Sequence, residues 1–197
     1  MLEGAAVAAR QREQLRQYLR WREAEGGVEG PQRLETMLAP VQLPRYEWLR
    51  RNVVGTILEV GCNWGFVLTM VKGHAGVDTN EDVIRLAQIL APKRDFRVAS
   101  ALALPFQNHS FETVMLPEVL EHLDLYNVPA AIMEAVRVAS QRILITMPDG
   151  DFDSEEATNF KHKFLVCQDT LRDILAMVPV PATVVREYPF VYVRIDL

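Results

Sequence analysis

The stretch Ile57-Leu58-Glu59-Val60-Gly61-Cys62-Asn63-Trp64-Gly65-Phe66 decides the fold. A short apolar run reads as a buried strand, TILEV over 56–60. It passes directly into a glycine-containing turn, and an apolar helix from Phe66 to Val71 follows. In an open parallel sheet such a turn lies at the carboxyl edge, where ligands bind. Gly61 lets a ligand approach the backbone, and Gly65 lets the helix start close to the strand. Asn63 stands where a third glycine would fit, and Asn is the residue after glycine that best tolerates positive φ.

Downstream of this turn, strands alternate with helices. HAGVD (74–78) is a second strand and Asp82 to Leu90 a helix closed by Pro92. FRVAS (96–100) is a third strand and ETVMLP (112–117) a fourth, followed by a helix-like VLEHL. Val128 to Ala139 is a helix, RILITMP (142–148) a fifth strand, and Gln168 to Val178 a helix. ATVVREY and FVYVRI end the chain as two strands joined at Pro189, a junction short enough only for an antiparallel pair. The expected fold is α/β, a doubly wound, mostly parallel sheet with an antiparallel C-terminal hairpin.

Upstream the pattern differs. Residues 5–25 read as a helix with Leu15, Tyr18, Leu19 and Arg22 at helical spacing, ended by Gly26 and Gly27. A short helix over Gln32 to Met37 and a helical turn or two over Tyr46 to Asn52 follow. The expected organisation is an N-terminal helical arm or lid over 1–51 and one ligand-binding domain over 52–197.

The chain has 197 residues, 49% hydrophobic and 24% charged, which excludes a low-complexity or disordered protein. Its net charge is −5, divided unevenly. Residues 1–51 hold nine Arg and seven Glu (+2), and the remainder twelve basic and nineteen acidic residues (−7). That body offers no basic stripe, which disfavours a nucleic-acid partner and leaves only the arm for one. Cys62 and Cys167 make no disulfide framework and fit a reducing compartment. No apolar run reaches the ~18 residues of a membrane span, and the first residues do not resemble a signal peptide. A cytoplasmic location is expected.

Asp78 stands 17 residues beyond Gly61 at the end of the second strand, placed to accept hydrogen bonds from ribose hydroxyls. Glycine turn plus acid describes an adenosine-ligand site. Phe66 occupies the sixth turn position, where a dinucleotide fingerprint has glycine, which disfavours a nicotinamide enzyme. No GK[ST] follows, so a P-loop is excluded. The acidic run DGDFDSEE (149–156) fails as a calcium loop, with Ser154 at position six and Phe160 at position twelve, and reads as a solvated loop.

Four motifs in order resemble the class I S-adenosylmethionine-dependent methyltransferases over roughly residues 45–178. They are Glu59-x-Gly61-x-Asn63-x-Gly65, Asp78, Ser100-Ala101-Leu102-Ala103-Leu104-Pro105-Phe106, and the phrase LPFQNHSFETVMLPEVLEHL. HKFLV (162–166) is similar to the family's late HxxF segment. The resemblance implies a Rossmann-like seven-stranded sheet and S-adenosylmethionine as cofactor. It implies that Glu59 and Gly61 hold the methionine end and Asp78 the ribose. Ala101 and Leu102 would present backbone groups to the adenine, and Leu116 or Pro117 would lie beneath the sulfonium. Cys62, Asn63, Gly65, Thr79 and Ser100 complete the expected cofactor set, with Cys62 also readable as a small buried filler and Trp64 as a shield or a packing group for the arm. Asn63 and Ser100 depart from the family's Gly and Asp, which keeps a non-catalytic partner subunit as an alternative. Arg45 could pair the cofactor carboxylate or be a surface arginine.

Glu118, Glu121 and His122 share one face if VLEHL is helical. His122 is a candidate general base, since imidazole titrates near 6.5. Similarity to the ubiquinone-pathway O-methyltransferases offers a second reading, a divalent cation on Glu118, Glu121 and His122. The third is structural, with the carboxylates solvated. Lys161 and His162 could meet an acidic or hydroxylated substrate. The expected activity is methyl transfer to a small-molecule oxygen nucleophile, on the acidic body, the HxxF-type segment and the place of His122. The alternative within enzymes is a protein or RNA acceptor held by the basic arm, which is also the candidate for a homodimer contact.

Overall fold

A computed structural model of the chain describes Glu13, Arg16, residues 39–150 and residues 167–197. Of the helix expected over 5–25 only Glu13 and Arg16 are described, both helical; the helix expected over 32–37, the acidic run beyond Gly150, and Lys161, His162 and the HKFLV segment lie outside the described residues.

Seven strands form one sheet in the order β3-β2-β1-β4-β5-β7-β6. They are β1 (Ile57–Val60), β2 (Ala75–Asp78), β3 (Asp95–Val98), β4 (Phe111–Pro117), β5 (Ala139–Pro148), β6 (Ala182–Glu187) and β7 (Phe190–Asp196). The first five pair in parallel, with Glu59 between Gly76 of β2 and Met115 of β4. β7 runs antiparallel to both β5 and β6, the hairpin that the short Pro189 junction requires. All four residues of β1 are buried, as expected of a central parallel strand.

The helices are α1 (Leu43–Asn52), α2 (Phe66–Met70), α3 (Glu81–Leu90), α4 (Val128–Val138) and α5 (Gln168–Ala176). Pro44 opens α1, where a missing N–H costs nothing, and Asn80 caps α3 by accepting from the Asp82 amide at 2.9 Å. Strand alternation divides the core into two clusters. Val114 and Leu116 of β4, with Ile143 and Ile145 of β5, pack with Ala131, Ile132, Leu171 and Ile174 of α4 and α5. Met115 and Leu144 point the other way and pack with Tyr46, Leu49, Phe66, Leu68, Ile84 and Ala87 of α1, α2 and α3. The connections therefore diverge between β1 and β4, and a crevice opens at their carboxyl ends.

One element differs from its sequence reading. VLEHL is not a helix: only Leu120–His122 form a single 3-10 turn, and Glu118 has φ 56°. The Glu118 amide donates to the Thr146 carbonyl at 2.9 Å, which holds this residue to the sheet and prevents a helix from starting there. Glu118, Glu121 and His122 do not share one helical face.

Candidate functional site

A cavity of about 620 Å³ lies at the carboxyl ends of β1, β2, β4 and β5. Its floor is the turn after β1. Gly61 has φ 70°, and a Cβ there would stand 2.4 Å from Val119 Cγ2. Asn63 adopts φ 48°, so the substituted position keeps the left-handed backbone that a glycine would supply. Its amide donates to Asp78 Oδ2 at 3.0 Å, and its Oδ1 accepts from the Trp64 amide at 2.9 Å. Asp78 Oδ1 accepts from the Asn80 amide at 3.0 Å. A carboxylate has about four acceptor positions, so Asp78 retains capacity for a ligand.

Glu59 is 2% exposed. The Leu68 backbone hydrogen-bonds its carboxyl, and Oε2 has no partner. Burial pushes its pKa well above the ordinary carboxylate value. Cys62 is buried with its thiol against the backbone of Gly76, where a Cβ would come within 2.8 Å of Sγ. Burial and then the Glu59 charge push the thiol far up, so it is no nucleophile at neutral pH. Trp64 is 5% exposed, packs on Phe66 at 5.3 Å between ring centroids, and belongs to the cluster with Tyr46 and Leu49. It packs on α1 and takes no part in the cavity wall.

Of the sequence-predicted residues, Arg45, Glu59, Gly61, Cys62, Asn63, Asp78, Thr79, Ser100, Ala101, Pro117 and His122 line the cavity. Gly65, Leu102 and Leu116 do not. Gly65 caps α2 at φ 79°, Leu102 is 37% exposed, and Leu116 is fully buried in the α4 and α5 cluster. Ser100 Oγ accepts from the Leu102 amide at 3.1 Å, holding the turn after β3.

Arg45 is not a surface arginine. It is 5% exposed, its Nη1 lies 3.3 Å from Glu118 Oε1, and its Nη2 donates to Tyr46 Oη at 3.2 Å. The guanidinium also stands over the Tyr46 ring at 4.9 Å and the Phe190 ring at 5.3 Å. Burial opposes its charge, but Glu118 and Tyr46 outweigh burial and its pKa is raised.

Glu121 is not solvated. It is fully buried, neither carboxyl oxygen has a partner, and burial followed by the charge of Glu118 pushes its pKa well up. Among the described residues no three His, Cys, Asp or Glu side chains converge to hold a metal ion, so Glu118, Glu121 and His122 do not form the cation site weighed from sequence. Asp149 is likewise no member of a solvated loop: it is 3% exposed and takes two contacts from Arg186, one from Nε at 2.8 Å.

Residues 58–143 match the family described as "Methyltransferase domain". That segment of the chain is a methyltransferase domain. No curated protein sequence matches the chain. Several solved structures share its fold. A possible histamine N-methyltransferase from Thermotoga maritima superposes with a TM-score of 0.69 at 15% identity, over 84% of this chain and 93% of that one. An S-adenosylmethionine-dependent methyltransferase from Archaeoglobus fulgidus gives 0.64 at 17% identity, over 83% and 97%. Magnesium protoporphyrin IX methyltransferase from Synechocystis gives 0.59 at 16%, over 91% and 93%. Among the described residues no helix is long and apolar enough to cross a membrane.

Sequence reasoning missed the far wall of the cavity. Gln42, Asp149, Tyr188, Pro189 and Phe190 line it. The Asp149 amide donates to the Pro189 carbonyl at 2.8 Å, which joins the end of β5 to the β6–β7 turn. The short Pro189 junction was the available signal, because it puts that turn beside the carboxyl end of β5.

Proposed function

We propose that the chain is an S-adenosylmethionine-dependent methyltransferase that acts on a small-molecule oxygen nucleophile in a cytoplasmic, reducing setting. The residues fit the cofactor: the Gly61 cradle admits no Cβ, and Glu59 Oε2 is a buried polar atom awaiting a donor. Glu59 and Gly61 would hold the methionine end, with Arg45 facing its carboxylate. Asp78 would accept the ribose hydroxyls, and Ser100 and Ala101 would border the adenine. When bound, S-adenosylmethionine supplies an electrophilic methyl on a sulfonium leaving group.

The chain's own residues then have two tasks. Pro117, Tyr188 and Phe190 shape the space in which an acceptor is aligned, and alignment is a large part of the barrier for a displacement of this kind. His122 would take the proton from the acceptor hydroxyl. The observation that carries this reading is that His122 lines the same cavity as the Gly61–Asp78 cofactor cradle. The acidic body argues for a small acceptor over a nucleic acid. Neither Cys62 nor Cys167 is in a disulfide, which accords with the setting.

The test is transfer of labelled methyl from S-adenosylmethionine to a panel of phenols, carboxylic acids and amines. Label recovered as methyl ethers or esters supports the reading. Label recovered only on amines, or only on protein or RNA, overturns the oxygen assignment.

A further inference from the structure

Asp149 grips the β6–β7 turn on both sides of Tyr188. Its amide donates to the Pro189 carbonyl at 2.8 Å. Its fully buried carboxylate accepts from Arg186 Nε at 2.8 Å and from Arg186 Nη2. Glu187 pairs with Phe190, so Tyr188 and Pro189 alone make the turn, and the proline ring fixes its own φ. On this held turn Tyr188 lines the cavity and is 61% exposed. Pro148, paired with Phe190 in the β5–β7 ladder, and Pro117 at the end of β4 also line the cavity. The charges here are committed. Arg186 is engaged by Asp149, and Arg45, the one Lys or Arg among the described lining residues, by Glu118.

We propose that the β6–β7 turn selects the acceptor: Tyr188 is the surface on which a flat, uncharged ring lies, and Asp149 and Arg186 are the positioning residues that hold that surface at the cavity. This rests on the reading above that the acceptor sits beside the cofactor against the far wall. A tyrosine ring offers a large, rigid contact at low entropic cost. A second ring offset upon it gains beyond the area buried. Clamping residues 186 and 189 presents the ring before any ligand arrives, which cuts the cost of binding. Charge narrows the acceptor further. An anion meets the carboxylates Glu118 and Asp149, whose arginines are already engaged. A cation meets the like charge of the sulfonium. An uncharged ring meets neither penalty.

The test is titration of the full chain with 2-naphthol, read by its own fluorescence, with and without saturating S-adenosylhomocysteine. Two competitors are 2-naphthoate, which is charged, and decahydro-2-naphthol, which is not flat. Naphthol is expected to bind, and both competitors to bind about tenfold or more weakly. Tyr188→Ala weakens naphthol about five- to tenfold. Tyr188→Phe restores it, and affinity for S-adenosylhomocysteine stays within about twofold in both. Arg186→Gln also weakens naphthol, and Arg186→Lys does so less. In the Tyr188→Ala background Arg186→Gln adds nothing further, because it acts through the ring. A pair that only stabilised the fold would weaken binding in either background, and that result overturns the positioning role. Naphthol that does not bind, that binds no better than the competitors, or that ignores Tyr188→Ala overturns the proposal. A chain that fails to bind S-adenosylhomocysteine yet binds naphthol through Tyr188 overturns the cofactor reading and leaves this one standing.

Discussion

The Asn63 amide donates to the Asp78 carboxylate at 3.0 Å, which ties the turn after β1 to the end of β2. This bond requires Asn63 to hold φ 48°, in the left-handed region. The position thus demands backbone tolerance more than it demands glycine itself. Asn63→Gly is expected to change stability by well under 1 kcal/mol, since the lost Oδ1 contact is offset by relief of strain. Asn63→Val places a β-branched residue in that region and removes the contact to Trp64, at a cost of about 2–3 kcal/mol. Urea unfolding of the two variants reads the difference directly.

Gly61 and Val119 form a second pair of this kind. A Cβ at Gly61 would stand 2.4 Å from Val119 Cγ2, and φ 70° is unfavourable for alanine. Gly61→Ala is expected to cost about 2–4 kcal/mol from overpacking and backbone strain together. Adding Val119→Ala recovers the overpacking part and leaves the strain. A double-mutant cycle then shows a coupling of about 1 kcal/mol or more. Strict additivity would show that the two groups do not meet.

These local relationships explain what the sequence disclosed. The strand at Ile57–Val60, the turn and Asp78 are local in the chain, and continuous apolar runs marked the buried parallel strands. The wall opposite depends on contacts between distant residues. Arg45 is buried because Glu118 and Phe190, far along the chain, close over it. Asp149 looked like the first of several solvated acids because its partner Arg186 is on a strand that follows a later helix. The positive φ of Glu118 has no sequence signature, since Glu is no favoured left-handed residue, and so the helical reading of VLEHL failed there.

The buried carboxyl of Glu121 gives a pH dependence. Its pKa is raised by burial and then by Glu118, from an ordinary 4.5. Above pH 4.5 the unfolded chain releases this proton while the folded chain retains it. Folding then binds a proton, and this group's contribution to stability falls as pH rises through that window. Glu121→Gln removes the proton linkage. The variant is expected to gain stability relative to wild type on going from pH 5 to pH 8, measured as the difference in urea midpoints. A difference independent of pH would show that Glu121 is not held neutral.

His122 gives a kinetic prediction. His122→Ala should lower single-turnover methyl transfer by about 10²- to 10⁴-fold, the usual contribution of a positioned base. Affinity for S-adenosylhomocysteine should stay within about twofold, because the proton transfer belongs to the acceptor. A variant with unchanged transfer rate would remove His122 from the chemistry.

The most direct test of the account is thermal unfolding of the whole chain with and without S-adenosylhomocysteine. At 100 times its dissociation constant the ligand adds about 2.7 kcal/mol to the folded state. For a domain of this size that raises the midpoint by roughly 5–11 °C. A rise in this range is the predicted result, and it would show that the Asn63 turn and the Ser100 edge still hold the cofactor. An unchanged midpoint at millimolar ligand would contradict the account.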